Sequence, residues 1–401
     1  MLRFILCLSL LGLLTACHQH EPKLPPNVLF ITVDDLGPFL PCYDYPAVHS
    51  PRFDELATRS VLFANTHCQV ALCTPSRTSV LTGVRPTKSG ILQIDDNWQT
   101  ILPDARSLPR HFRDHGYYVH AVGKIYDTRN GGMDHAFDYD DPEALRDNDR
   151  ALTALAAVAD TTQPFFLALG YAQPHTPWEP DAPSLAHYSP AEIDVSAMSR
   201  NFRGEELTTT QLQARVARFY AVITEVDSLV GAVIDRAEAL GLLDNTILVV
   251  GSLDHGFSLG WRGHYGKGNN FDPETQVPLF IRLPGGAHAG ARVRTPTELL
   301  DLYPTLIDYC GLPSPPHTLD GRSLRPFLED PTQPSDRAAF SQRAYHPDDF
   351  GVKTERYTLV AWTGEDTLLF DRRQDPLNLQ DIAPQHPLLV DSLLELWTLL
   401  H

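Results

Sequence analysis

The first folded stretch of the chain reads Asn27-Val-Leu-Phe-Ile-Thr-Val33 and is followed at once by Asp34 and Asp35. A short run of apolar and β-branched residues is typical of a buried strand. In sheets of mostly parallel strands, ligands bind at the carboxyl ends of the strands. An acidic pair at this place is what a metal site on an α/β fold needs, so the stretch predicts both the fold class and one side of a functional site.

The rest of the chain alternates strand-like and helical patterns. Four more apolar runs predict strands at 117–122, 165–171, 246–251 and 277–283. Between them, apolar residues recur at helical spacing, which predicts helices at 50–60, 74–82, 105–115, 142–158, 208–240 and 297–310. This alternation predicts an α/β fold with a mostly parallel central sheet flanked by helices. Strand patterns at 354–362 and 367–371 and a helical pattern at 388–400 predict a small C-terminal α+β subdomain.

Composition and charge exclude several classes of protein. The chain has 401 residues, of which 43% are apolar and 20% are charged, as in an ordinary globular protein. Its 32 Lys and Arg against 50 Asp and Glu give a formal net charge of −18. Because nucleic-acid affinity depends on Lys and Arg, we expect no nucleic-acid partner. An anionic substrate could bind only where a metal and basic side chains reverse the local field.

The N-terminus predicts export. Arg3 precedes an apolar run from Phe4 to Leu14, and Leu14-Thr-Ala-Cys17 follows. This pattern indicates a signal peptide at 1–16, too short to span a bilayer stably. Leu-Thr-Ala-Cys also resembles a bacterial lipobox, which implies cleavage before Cys17 and acylation of its thiol. The alternative is an ordinary signal with an incidental cysteine. We expect a lipidated tether at 17–26 and a periplasmic, outer-membrane or cell-surface lipoprotein, attached to the membrane only by its lipid.

The other cysteines do not form a zinc-ribbon pattern. Cys42 and Cys68 could pair in an oxidising compartment, and the sequence leaves this open. Cys310 lies in an apolar helical pattern, which favours a core position.

The strongest local signal is Cys73-Thr-Pro-Ser-Arg77. Pro75 suits the start of a helix, and Thr74 could cap it. Cys73 would then lie at a helix N-terminus, where free N–H groups favour an anion. Arg77 follows one turn later and could reach the same place. On these grounds alone, a nucleophile beside an anion hole and a buried structural cysteine are equally supported.

This motif, continued by Leu81-Thr-Gly83, resembles the sulfatase signature. The resemblance implies that a formylglycine-generating maturation enzyme oxidises Cys73, and that the fold is an alkaline-phosphatase-like sandwich. Because the sequence pattern changes from about Arg325 onward, we expect a catalytic domain at 27–324 and a C-terminal subdomain at 325–401. Further family landmarks lie at 218–227, 244–246, 277–280, 301–305, 319–324 and 356–357.

The acidic residues complete a metal set. Asp254 and His255 follow a predicted strand, as Asp34 and Asp35 do. Each pair alone is more often a cap or a turn. Together they resemble the sulfatase metal site, which also includes the formylglycine made here from Cys73. Carboxylates suit Ca²⁺ or Mg²⁺. The histidine at 255 resembles the iduronate-2-sulfatase branch, and the resemblance implies Ca²⁺ rather than Mg²⁺.

Basic residues would bind the sulfate. The resemblance implies that Lys124 and Lys267 bind sulfate oxygens, that His175 protonates the leaving alcohol, and that Arg77 and the metal hold the nucleophile. Without it, the lysines would be solvated tips and His175 an ordinary loop residue. Trp261 is a candidate platform for stacking a sugar ring, with a partly buried aromatic as the alternative.

Several positions depart from the family pattern. Tyr126 and Asp127 stand where a histidine is usual, and Gln173 replaces a lysine. Either Asp127 substitutes as a base, or His120 or His135 takes the role. The sequence thus predicts hydrolysis of a sulfate ester on a sulfated sugar or uronic acid of a polysaccharide or glycosaminoglycan-like oligosaccharide. The alternatives are a phosphonate or phosphate ester hydrolase of the same superfamily and a non-catalytic lipoprotein that binds sulfated glycans.

Overall fold

The computed structural model describes residues 25–127, 136–202 and 204–400. The expected signal peptide, the tether up to residue 24 and His135 lie outside the described residues.

The strands and helices follow the predicted alternation. The strands are β1 Asn27–Val33, β2 Val61–Phe63, β3 Thr66–His67, β4 Tyr118–Gly123, β5 Tyr139–Asp141, β6 Phe165–Tyr171, β7 Asn201–Phe202, β8 Glu205–Glu206, β9 Thr246–Gly251, β10 Ser258–Leu259, β11 Tyr265–Gly266, β12 Gln276–Val277, β13 Leu279–Arg282, β14 Arg292–Val293, β15 Thr297–Glu298, β16 Ala339–Arg343, β17 His346–Lys353, β18 Tyr357–Ala361 and β19 Leu368–Asp371. The helices are α1 Pro51–Arg59, α2 Cys73–Thr82, α3 Pro86–Ser89, α4 Trp98–Ile101, α5 Leu108–Asp114, α6 Asp149–Ala159, α7 Ala182–Leu185, α8 Thr209–Ala239, α9 Asp272–Thr275, α10 Leu302–Cys310, α11 Arg325–Glu329 and α12 Pro387–Leu400.

The central sheet has eight strands in the order β14-β2-β13-β9-β1-β6-β4-β5. All run in the same direction except β13, which is antiparallel to both of its neighbours. The reason is the path of residues 252–278. This segment stays at the carboxyl edge of the sheet, and the chain then enters β13 from that edge, with Leu279 opposite Gly251. The mostly parallel α/β sheet is confirmed.

Strand β1 lies at the centre and separates two cores. Leu29, Ile31 and Val33 pack in one core, with side chains from α1, α6 and α8. Val28 and Phe30 pack in the other, with side chains from α2, α5 and α10. Because successive side chains of a strand point to opposite faces, a continuous apolar run is what a sheet covered on both faces requires.

The C-terminal residues form a second, four-stranded antiparallel sheet in the order β16-β17-β18-β19, with α12 packed against it. Its first strand begins at Ala339, and α11 at Arg325 precedes it. A buried carboxylate, Asp272, joins the two parts of the chain: it accepts hydrogen bonds from Thr358 Oγ1 at 2.8 Å and Arg372 Nε at 2.9 Å.

Three helices begin three or more residues later than predicted, at Leu108, Asp149 and Leu302. Residues 139–141 instead pair with β4, and Leu145 forms a bridge to Tyr171. Likewise, Thr297 and Glu298 pair with β3. Of the described helices, none is both long and apolar enough to cross a membrane.

Candidate active site and metal site

The carboxyl edge of the central sheet gathers the predicted polar residues. Asp34 and Asp35 follow β1, Lys124 follows β4, His175 lies beyond β6, and Asp254 and His255 follow β9. Cys73 and Arg77 reach the same place from α2, and Lys267 from the segment after β11. The structure therefore brings together nine of the ten candidate residues, and only Trp261 lies apart.

Helix α2 places Cys73 at its first position and is buried along its whole length. Its N-cap is Leu72, which has no side-chain cap, so the expected capping by Thr74 is wrong. The Thr74 hydroxyl instead donates to the carbonyl of Ile94 at 2.8 Å. Pro75 lies at the third helical position, where its missing N–H has no helical partner to lose.

Arg77 fixes the helix relative to the sheet edge. Its Nη2 donates to Asp34 Oδ1 at 2.7 Å, and its Nη1 donates to the carbonyls of Lys124 and Ile125 at 2.7 and 3.1 Å. Its side chain is only 3% exposed. Through these hydrogen bonds, the buried guanidinium holds Asp34, the residues that follow β4 and helix α2 in a fixed arrangement.

The two lysines each contact a different carboxylate. Lys124 Nζ donates to Asp34 Oδ2 at 2.7 Å, and Lys267 Nζ donates to Asp35 Oδ1 at 2.6 Å. Their side chains remain 19% and 18% exposed, whereas the carboxylates are at 2%. The cations therefore lie between the acidic residues and solvent, where they can meet an incoming anion.

Two glycines permit the turn that directs Lys124 into the site. Gly123 has a φ of 93°, a region that side chains rarely adopt. A Cβ there would lie 2.1 Å from the carbonyl oxygen of Gly170, and one on Gly170 would lie 2.5 Å from Lys124 N. Larger residues at these two places would push β4 and β6 apart.

The Cys73 thiol lies between two nitrogen atoms. His255 Nε2 is 3.4 Å and Lys267 Nζ is 3.3 Å from Sγ. Burial and the Asp254 carboxylate raise the pKa of Cys73 to about 12, although Lys267 opposes them. The thiol is therefore protonated at neutral pH and is a weak nucleophile in its unmodified form.

The donor set fits a divalent cation. Asp35, Cys73, Asp254 and His255 each offer one ligand atom, and these atoms lie within 4.8 Å of one another. Neither carboxylate oxygen of the fully buried Asp254 accepts a hydrogen bond from a described residue. His255 Nε2 lies 3.2 Å from Oδ2 of Asp254, and Arg77 Nε lies 3.7 Å from Oδ1. Buried oxygens left without donors are what a hard cation would satisfy.

Burial and nearby charges give the residues of the site different pKa values. Burial raises the pKa of Asp254 well above its usual range. Burial acts in the same direction on Asp34, but Lys124 and Arg77 outweigh it and hold its pKa well below the usual value. Burial, together with Lys267, lowers the pKa of His255 to about 3. His255 is therefore neutral and available as a ligand.

His175 lies at the opposite side of the acidic pair. One of its ring nitrogens is within 4.8 Å of a carboxylate oxygen of Asp34 and of Asp35. Its Nδ1 lies 2.7 Å from the carbonyl of Thr176, a contact that orients the ring. The residue is half-buried, so its other nitrogen can face a ligand.

Trp261 does not offer an open face to a sugar, and that expectation is wrong. The residue is 3% exposed, and its ring stacks on Phe39 with centroids 5.4 Å apart. Gln173 is also buried and donates to the carbonyl of Arg146 at 3.1 Å. Trp261 therefore serves packing, and Gln173, which departs from the family pattern, serves internal hydrogen bonding.

The positions after Lys124 pack against helix α2. Tyr126 is buried and stacks on Trp98. Asp127 lines a small cavity with Thr74 and Arg77. His120, the described histidine considered as a substitute, lies within β4, three residues before its end and so about 10 Å from the sheet edge.

Ser76 is a residue to which the sequence assigned no role. Its hydroxyl donates to the backbone carbonyl of Asp254 and so fixes the segment after β9 to helix α2. The indication of such a role was a polar residue one turn into helix α2, a helix that is buried along its whole length. Among the described residues, Cys42, Cys68, Cys73 and Cys310 are free thiols.

The structure thus combines an alkaline-phosphatase-like α/β fold with buried carboxylates, cations and a thiol at the carboxyl edge of its central sheet. The sulfatase family model matches residues 26–312, and a model for the N-sulphoglucosamine sulphohydrolase C-terminal region matches residues 260–395. The chain belongs to the sulfatase family and is a sulfuric ester hydrolase.

Individual relatives agree with this assignment. Iduronate 2-sulfatase of Mus musculus is 26% identical over 91% of this chain and 89% of its own length. N-acetylglucosamine-6-O-sulfatase of Bacteroides thetaiotaomicron is 23% identical over 94% and 86%. The solved structure of the phosphonate monoester hydrolase of Agrobacterium radiobacter has a TM-score of 0.80 and 22% identity, covering 94% of this chain and 95% of that one. It shares the fold.

Proposed function

We propose that this chain hydrolyses a sulfate ester on a sulfated sugar or uronic acid, with formylglycine derived from Cys73 as the nucleophile. The observation that carries the proposal is the position of Cys73. It is the first residue of a buried helix, 3.3 Å from Lys267 Nζ and beside the oxygen-rich donor set. A thiol held in its neutral form has no advantage at this position, whereas a modified side chain would have one.

The substrate class rests on the relatives and on local charge. Two relatives are an iduronate 2-sulfatase and an N-acetylglucosamine-6-O-sulfatase, which supports a sulfated carbohydrate for this chain. Lys124 and Lys267, whose side chains are 19% and 18% exposed, supply positive charge at the mouth of the site in a chain whose net charge is −18. They would bind the sulfate oxygens and neutralise charge that develops on them.

The remaining groups have distinct proposed roles. A hydrated formylglycine would supply one hydroxyl for attack on sulfur, with release of the alcohol, and a second hydroxyl whose deprotonation would re-form the aldehyde and break the carbon–oxygen bond to sulfate. Asp34, Asp35, Asp254 and His255 would hold Ca²⁺, which supplies Lewis acidity toward sulfate oxygens. Arg77 keeps Asp34 and the first turn of α2 in place. His175, which lies beside Asp34 and Asp35, would donate a proton to the leaving alcohol.

Asp127 is the proposed substitute for the missing histidine. It lies next to the Lys124 loop and lines a cavity with Thr74, the residue after Cys73. A carboxylate there can accept the proton whose removal releases sulfate. An Asp127→Asn variant would then bind substrate normally but accumulate sulfated enzyme, visible as a burst of alcohol release followed by slow turnover.

Peptide mass spectrometry of the Cys73 peptide tests the proposal directly. Protein produced with the formylglycine-generating maturation enzyme should carry the mass of an aldehyde, and protein produced without it should carry a thiol. Cys73→Ala should abolish sulfate release, while Cys42→Ala, which removes another free thiol, should not. Turnover by Cys73→Ala would overturn the proposal. Preference for a phosphonate monoester, or sulfated-glycan binding without turnover, would favour the alternatives.

The cellular location is a further proposal, based on residues 1–26. Cleavage before Cys17 and acylation of its thiol would place the enzyme on a membrane surface outside the cytoplasm. Palmitate labelling of the wild-type chain, lost in Cys17→Ala together with the membrane-fraction signal, is the expected result. An unlabelled protein recovered in the soluble exported fraction would indicate an ordinary signal peptide.

A further inference from the structure

A polar cavity lies beside the C-terminal subdomain, apart from the catalytic cluster, and has no assigned role. It has a volume of about 310 Å³. Residues directly after β2, residues in and directly after β14, and the segment after β19 line it. None of the nine residues of the catalytic cluster is among them.

The cavity opens at the same sheet edge as the catalytic cluster. β2 and β14 run in the direction of β1, because β13 reverses the direction twice between them. Their carboxyl ends therefore lie at the edge where Asp34 and Asp35 follow β1. Four inter-strand spacings separate β1 from β14, which is about 19 Å. Only a ligand longer than a single sugar could reach both places.

Four arginines give the cavity its charge. The Arg372 side chain is 9% exposed and donates to Asp272 and Gln276 at 2.9 and 2.8 Å. Arg292 and Arg373 pair with two exposed acidic residues at the rim, Asp44 and Glu355. Arg294 is exposed, and its guanidinium has no acidic or hydrogen-bonding partner in the ranges that the structure describes.

The residues that line the cavity are mainly basic in an otherwise acidic chain, and Arg294 carries a positive charge beyond the three arginines that have acidic partners. The acidic and basic residues that line the cavity number two and four, against 50 and 32 in the whole sequence. Clefts lined by one sign of charge concentrate ligands of the other sign. Guanidinium groups match carboxylate and sulfate oxygens by paired hydrogen bonds.

Apolar side chains also line the cavity. Pro38, Tyr45 and Leu377 are partly exposed there, whereas Phe39 and Pro273 are buried. Tyr45 and Leu377 also line a neighbouring cavity, so the surface continues beyond the arginines. Partly exposed apolar side chains and arginines in one cavity fit a sugar ring that carries an anionic group.

We propose that this arginine cavity binds a second anionic group of the oligosaccharide whose sulfate ester occupies the catalytic site. The inference rests on the proposed function for its substrate class. It predicts an enzyme that distinguishes polyanionic oligosaccharides from single sulfated sugars by a contact remote from the reacting bond.

Calorimetry on the full chain carrying Cys73→Ala tests this without turnover. The probes are a heparin-derived tetrasaccharide, its desulfated and uronate-containing counterpart, and glucosamine 6-sulfate. Adding Arg294→Ala and Arg373→Ala should weaken tetrasaccharide binding about tenfold or more, since each change removes a charge-assisted contact. Glucosamine 6-sulfate binding should not change. Arg325→Ala is the matched control, because it removes an exposed, acid-paired arginine away from the cavity.

The outcomes are distinguishable from failure of the proposed function. Equal tetrasaccharide affinity in the double variant and the Arg325→Ala control, or no binding by either, overturns the inference. Loss of affinity for the sulfated but not the desulfated probe identifies sulfate as the bound group, and loss for both identifies the carboxylate. Hydrolysis of a small aryl sulfate by the matured wild-type enzyme tests the proposed function separately, because that substrate cannot reach the cavity.

Discussion

Lys124 donates a 2.7 Å hydrogen bond to Asp34, and this contact joins the end of β4 to the end of β1 across the intervening strand β6. Lys267 makes the equivalent contact to the neighbouring Asp35. Two adjacent carboxylates thus have separate cations, which keeps both ionised at a site where burial alone would protonate them.

Removal of one of these lysines should lower activity more than stability. We expect Lys124→Met to reduce kcat/KM for sulfate ester hydrolysis by about 10²–10³, because a cation that meets the sulfate is lost. Arg77 remains to hold Asp34, so the fold should persist. The control is Lys88→Met, which breaks an ion pair with Asp320 at an exposed position. Similar kinetic losses in both variants would contradict a role at the sulfate.

Metal affinity should depend on pH through Asp254 and not through His255. A cation must displace the proton that burial retains on Asp254, whereas His255, with a pKa of about 3, is already neutral. Calorimetric Ca²⁺ affinity should therefore rise with pH, by about tenfold per pH unit while Asp254 is protonated in the free protein. A step near the ordinary histidine value of about 6.5 would contradict this assignment. Asp254→Asn should remove the dependence and most of the affinity.

We expect Trp261 to contribute to the stability of the fold and not to substrate binding. Because its ring is buried against Phe39, Trp261→Ala should lower the free energy of unfolding by about 3–5 kcal/mol. Tyr345, which is 53% exposed, provides the comparison: Tyr345→Ala should change it by no more than about 0.5 kcal/mol. Urea unfolding measures both. A Trp261→Ala protein of normal stability with a raised KM would restore the stacking role.

Asp227 should make stability fall as pH rises. Its two carboxylate oxygens accept the backbone N–H groups of Arg52 and Phe53, at 3.1 and 2.6 Å, and so cap helix α1 from α8. Burial raises its pKa to about 7, above the value of about 3.9 in an unfolded chain. The folded state therefore holds the proton longer, and the stabilisation present below pH 4 is lost as pH rises toward 7.

Asp227→Asn keeps an acceptor and removes the titration. The difference in unfolding free energy between the wild-type and variant chains should change between pH 4 and 7 and be constant above it. A difference that is flat across this range would show that the carboxyl group titrates normally in the folded chain.

The sequence predicts best where local pattern and final environment agree. The runs Phe165–Tyr171 and Thr246–Gly251 are strands at their predicted bounds, because each is buried on both faces and ends at a turn. The polar residues that follow such runs then meet at one edge for topological reasons. Most of the candidate site could therefore be predicted from the sequence, because its residues follow the ends of predicted strands.

Features that depend on contacts between residues far apart in the sequence could not be predicted in this way. Strand β17 begins with His346, Pro347 and Asp348, which do not form a strand pattern, and it exists because β16 and β18 pair with it. The burial of Trp261 depends on Phe39, 222 positions earlier, and no local pattern announces that contact. The arginine cavity likewise assembles from segments after β2, β14 and β19.

Asp272 has a wider consequence for how this chain can be divided. Five residues earlier lies Lys267, and the groups that neutralise Asp272, namely Arg372 and the fully buried Lys353, come from the C-terminal sheet. A fragment ending at residue 324 would keep every residue of the catalytic cluster. It would nevertheless leave the charge of Asp272 unpaired, next to the segment that carries Lys267. We therefore expect residues 27–324 not to fold as an independent module without the C-terminal sheet.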